Sequence, residues 1–160
     1  MTKSRSKSPE AIEMLKEDHD KVKKAFKEFE KMDREDTESC QQLIRSVCED
    51  LKVHTTLEEE IFYPAVREVI EDEDLMNEAA VEHETAKMLI DQLENMGPDD
   101  PNYFATFIVL GEYVMHHVKE EEDEMFPQAK KAKDLDFESL AAEMASRKQA
   151  LLGETEKTQA

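Results

Sequence analysis

Glycine and proline are scarce in this 160-residue chain, at three and five residues, so few positions break a helix. Alternating runs of Val, Ile and Thr bounded by turn residues are also missing, which removes the usual signature of strands. What remains is rich in Glu, Lys, Ala, Leu and Met, all good helix formers. No apolar run approaches the roughly 18 residues of a membrane span, and the N-terminal MTKSRSKSPE lacks the apolar stretch of a signal peptide. Positive charge is short too: 21 Lys and Arg stand against 40 Asp and Glu, a formal net charge of -19. Such a surface repels phosphate backbones and anionic lipid, so neither nucleic acid nor membrane is expected as a partner. Cysteine is limited to Cys40 and Cys48. They fall on one expected helix with about 12 Å of rise between them, too far for a bond. With two thiols read as reduced and no export signal seen, a cytoplasmic setting is expected.

Residues 1–8 are polar, basic and Ser-rich and read as a disordered tail. Ser8 followed by Pro9 is a helix-start signal, and Ile12, Leu15, His19, Val22, Phe26 and Phe29 then trace one face of a helix over roughly 9–32. After the polar DREDTES a second stripe runs Ile44, Val47, Leu51, His54, Glu58, Ile61 and Ala65 without a slip in register. A third runs Met76, Ala79, His83, Ala86, Ile90 and Leu93, closed by GPDDP; the fourth is Tyr103, Phe107, Leu110, Val114, His117, Glu121 and Met125. Four amphipathic helices with short polar turns predict an all-α, antiparallel up-down-up-down four-helix bundle. An additional C-terminal helix over about 137–151, capped by Asp136, packs Leu140, Met144 and Leu151 on the outside. The folded unit is thus expected over 9–152, with a frayed tail at 153–160.

Two stretches repeat: HTTLEEEIFYP at 54–64 and HVKEEEDEMFP at 117–127, each a histidine, a Glu four residues on, further acids, an aromatic and a proline. His19 and His83 are related by a similar spacing, so the chain reads as two copies of a helical hairpin about a pseudo-twofold axis. Every stripe therefore carries one histidine on a face that should be apolar. Antiparallel pairing brings the four rings to a similar depth, with Glu58 and Glu121 about one turn, roughly 6 Å, away. Buried polar groups at one depth need partners. A metal-free helical domain with satisfied core histidines is one solution. Imidazole with carboxylate also suits Fe, Zn, Mn or Cu, and six donors exceed what one tetrahedral zinc uses. Two ions bridged by Glu58 and Glu121 would use them all.

His19, then His54-x3-Glu58, then His83, then His117-x3-Glu121, with EEEIFYP and EEEDEMFP after the paired donors, resembles the hemerythrin-like, HHE cation-binding family across about residues 10–130. The trailing DFESLAAEMASRKQALL is similar to that family's C-terminal helix. The resemblance implies a non-haem di-iron centre held by His19, His54, Glu58, His83, His117 and Glu121. It also implies an oxo or hydroxo bridge and a small oxidant such as O2, peroxide or NO as external ligand. An iron-responsive module without catalysis is the alternative role, and sensing would need a reductant or signalling partner. The oxygen carriers of the family place a second histidine where this chain has Lys87, and end on an Asp at five rather than a Glu at four. Oxidation in air is therefore expected here in place of reversible carriage. Of the remaining residues, His116 is assigned to the surface or to a supporting place behind the ligands, Tyr63 and Phe126 to core packing. Pro64 and Pro127 are expected to end or bend their helices.

Overall fold

The computed structural model describes residues 9–159 and is all-helical, with no strand among the described residues. Helix α1 is Glu10–Lys31, α3 is Glu73–Glu94 and α5 is Phe137–Gln159. Helices α2 (37–67) and α4 (103–131) are each interrupted by one π turn, Glu58–Phe62 in α2 and Glu121–Met125 in α4. The α1/α2 and α3/α4 pairs form hairpins, and α2 packs on α3 and α1 on α4. This is the antiparallel up-down-up-down bundle that the stripes predict. Helix α5 lies outside it, against α1 and α2.

Aspartate side chains start three of the helices, at Asp136 as the sequence predicts and at Asp36 and Asp72 besides. Asp36 accepts from the Ser39 N–H at 3.2 Å, Asp72 from Leu75 at 3.1 Å and Asp136 from Ser139 at 3.0 Å. Each satisfies one orphan amide at a helix N-terminus, worth about 1 kcal/mol. Pro9 precedes Glu10 at the start of α1; Ser8 and the expected N-terminal tail lie outside the described residues. The last helix differs from expectation, because α5 runs to Gln159 rather than fraying from 153. Gly153 alone costs about 1 kcal/mol in a helix, too little to stop one whose other residues favour it.

The apolar side chains form two clusters. One gathers Ile12, Leu15, Phe62, Val66, Met76, Phe126 and Met144, the other Val22, Phe29, Ile44, Leu51, Ile90, Phe107 and Leu110. Each fully buried large side chain contributes about 1.5–3 kcal/mol, so these clusters hold the bundle. Gly111 helps the second, since a Cβ there would stand 3.0 Å from Phe26, whose ring reaches Phe107 at 5.0 Å. Between the clusters lies a buried layer of His19, His54, His83, Glu58 and Glu121.

The α2 stripe slips at this layer. Phe62, Tyr63 and Val66 are buried, while Ile61 and Ala65, which the sequence pattern selects, are only partly so. The π turn is the cause. The Tyr63 N–H bonds to the Glu58 carbonyl five residues back, so one extra residue is wound into the turn and everything beyond it moves by one position. Phe126 and Glu121 repeat the device in α4. The helices do not end at the prolines, and the same turns explain why. Pro64 and Pro127 sit in the first turn of the next α-helical segment, where a missing N–H is tolerated. Helix α2 accordingly continues to Arg67 and α4 to Lys131.

Candidate metal centre

All six predicted donors meet in the polar layer, one histidine from each bundle helix and one glutamate from each π turn. Their contacts fall into two groups. His19 Nε2 stands 3.1 Å from Glu121 Oε1 and His54 Nε2 3.3 Å from Glu58 Oε2. His83 Nε2 stands 2.9 Å from Glu58 Oε1 and His117 Nε2 3.4 Å from Glu121 Oε2. Each carboxylate thus offers one oxygen to each group. Donors at about 2.1 Å from a shared ion lie about 3.0 Å apart at right angles and about 3.4 Å apart at the tetrahedral angle. The observed separations are edges of that size. In the first group His19 Nε2, His54 Nε2, Glu58 Oε2 and Glu121 Oε1 are all buried without a hydrogen-bond partner. Orphaned polar atoms in a core cost free energy, and four converging on one point fit a cation.

The opposite nitrogen of every ring is held by a carboxylate. His19 Nδ1 pairs with Glu122 at 2.7 Å, His54 with Asp18 at 2.9 Å, His83 with Glu59 at 2.8 Å and His117 with Glu82 at 2.7 Å. These contacts turn each Nε2 toward the centre and make the imidazole a better donor. Sequence reasoning missed these four residues. A signal existed, since an acid precedes His19 and His83 and follows Glu58 and Glu121. The pairing, however, crosses between helices. Asp18 is anchored in turn by Lys148 of α5 at 2.9 Å and Glu59 by Lys87 at 2.6 Å. Lys87 therefore faces outward onto Glu59, while His116, 64% exposed, lies outside both donor groups, 3.3 Å from Glu120 and 3.7 Å from the Glu82 carboxylate that holds His117.

Electrostatics without metal are set by this packing. Burial alone would depress His54, but the Glu58 carboxylate and the bond to Asp18 push it up to about 10. His19 and His117 are raised against burial by Glu121, aided by Glu122 and Glu82 respectively. Burial would raise Glu121, yet His117 and His19 hold it well below the usual carboxylate range. Protons on the imidazoles here satisfy the same carboxylates that a cation would satisfy.

Tyr63 departs from its assigned packing role. It is buried, but its hydroxyl donates to Glu121 and lies 3.2 Å from Glu58 Oε1, 3.2 Å from His83 Nε2 and 3.1 Å from His117 Nε2. In an α-helix residue 63 would point roughly 140° away from residue 58. The π turn stacks them, as i and i+4 stack elsewhere. Phe126, its counterpart, keeps the packing role and lies parallel to the His19 ring at a centroid distance of 6.0 Å. A cavity of about 30 Å³ touches all four histidines but not Glu58, Glu121 or Tyr63; Val22, Leu51, Ala86, Val114 and Val118 supply its apolar walls. That space suits a molecule the size of water or dioxygen.

Comparison with known proteins agrees with this geometry. The chain is 30% identical over 114 residues to a DNA nickase from a Nostoc strain, an alignment covering 71% of this chain but only 32% of that protein, about a third of its length. Its fold matches the crystal structure of a hemerythrin HHE cation binding domain-containing protein from Mycobacterium kansasii, with a TM-score of 0.74 and 24% identity over 89% of this chain and 86% of that one. The family model for the hemerythrin HHE cation binding domain matches residues 10–129, which span the four bundle helices and every predicted donor. The chain belongs to the hemerythrin HHE cation binding domain family.

Proposed function

We propose that the protein is a non-haem di-iron protein whose centre binds and reacts with a small oxidant, O2, peroxide or a nitrogen oxide. The observation that carries this reading is the shared use of Glu58 and Glu121, each with one oxygen toward His19 and His54 and the other toward His83 and His117. His19, His54, Glu58 and Glu121 would hold one ion; His83, His117 and the same two glutamates would hold the other. Mixed imidazole and carboxylate donors suit iron. When bound, iron supplies electrons to the oxidant and a Lewis-acidic site for it.

The chain's own residues do the rest. Asp18, Glu59, Glu82 and Glu122 fix the rings. Val22, Leu51, Val114 and Val118 keep the approach small and apolar, which admits a diatomic molecule and limits water. Cys40 and Cys48, both buried and free, support a reducing, cytoplasmic setting. The net charge of -19 argues against DNA as a partner. The test is to mix the anaerobically reduced, iron-loaded protein with O2, hydrogen peroxide and NO in turn and monitor the visible spectrum. At least one should change the spectrum within seconds. A loaded protein inert to all three would overturn the oxidant reading.

A further inference from the structure

The two halves of the centre match position by position. His19 and His83, His54 and His117, Glu58 and Glu121, Asp18 and Glu82, and Glu59 and Glu122 are equivalent across the repeat. Tyr63 and Phe126 are the next equivalent pair, and of these pairs it alone differs in its capacity to donate to a metal. The difference coincides with a difference in the structure. In the first group, whose His19 ring lies parallel to Phe126, the four inward atoms have no hydrogen-bond partner. In the second group, the Tyr63 oxygen touches Glu58, Glu121, His83 and His117.

We infer that Tyr63 Oη is a metal ligand of the second position, which makes the two metal positions chemically unequal. This rests on the two-ion reading above. Its distances of 3.1–3.2 Å to His117, His83 and Glu58 are the spacing expected of donors that share one ion, not of a side chain lying beyond its ligands. A π turn has placed it there; an α-helical turn would have turned it away. The approach is from the glutamate side, so the cavity above the histidines stays free for an external ligand. Coordination exchanges the O–H bond to Glu121 for an oxygen–metal bond, and the displaced proton passes to solvent. A phenolate adds a negative, hard oxygen donor, which favours the ferric state at that position.

The probe is iron alone. Wild-type protein loaded with ferrous iron and then oxidised in air should show a visible phenolate-to-iron(III) charge-transfer band, with tyrosinate ring modes enhanced in the resonance Raman spectrum. Tyr63→Phe should keep its helical circular dichroism and lose the band, and bind its second equivalent of ferrous iron about 10–100-fold more weakly. Absence of tyrosinate modes in wild type decides against the inference even if the variant folds poorly, and Tyr113→Phe, at the cavity wall, should keep the band. A wild-type chain carrying two irons with no tyrosinate modes would overturn this inference and leave the di-iron reading intact. A chain that binds no iron would overturn both.

Discussion

The chemistry of the centre is set by single residues one step removed from it. Asp18, Glu59, Glu82 and Glu122 each hold an imidazole Nδ1, so each fixes both the tautomer and the aim of Nε2. Asp18→Asn should lower metal affinity about 10–100-fold while the protein stays folded, read by competition with a chelator. His116→Ala should leave metal content unchanged because that ring is exposed and outside both groups. The metal-free protein carries a pH signature as well. His54, at about 10 in the fold against 6.5 unfolded, holds its proton more tightly when folded. Its stabilisation is complete below pH 6.5 and is lost as pH rises toward 10, with His19 and His117 acting in the same sense. Glu121 and Asp18, both lowered, stabilise above the ordinary carboxylate range and lose that contribution in acid. The melting temperature of metal-free protein should therefore peak in mildly acidic buffer and fall toward pH 9. Metal-loaded protein needs those nitrogens free of protons, so the gap between loaded and stripped forms should widen over the same range.

At the scale of elements, the four stripes and the cap at Asp136 were legible because periodicity and capping are local properties of sequence. The π turns were not. Inserting one residue into a turn leaves the composition amphipathic, and apolar residues stand at 61, 62 and 63 alike, so the pattern does not say which faces inward. An unbroken α-helical register therefore puts Ile61 in the core and leaves Tyr63 a packing role. The orienting acids were hidden for another reason. Among 40 carboxylates, only their cross-helix distance to a ring distinguishes these four. Removing Glu60 in a Pro64→Ala background should convert the α2 π turn to α-helix and rotate the residues beyond it by about 100°. Helical circular dichroism should be preserved and metal content should fall well below that of wild type. Equal metal content would mean that the turn has no part in building the site.

For the whole molecule, the organising feature is a polar layer between two apolar clusters. The clusters account for folding, and Leu110→Ala, at a fully buried position, should cost about 2–5 kcal/mol by chemical denaturation with or without metal. The layer accounts for function and is stable only with its charges paired. Its four partnerless donor atoms should make the loaded protein melt at higher temperature than the stripped one. Helix α5 is part of this arrangement although it lies beyond the matched residues 10–129, because Lys148 anchors Asp18 and Met144 fills the first cluster. The central claim is two iron ions bridged by Glu58 and Glu121, and metal analysis of protein produced with ample iron tests it most directly. The account predicts about two irons per wild-type chain and loss of both in Glu58→Ala, since that carboxylate serves both groups. One zinc per chain, or a Glu58→Ala protein that keeps a full complement of iron, would contradict it.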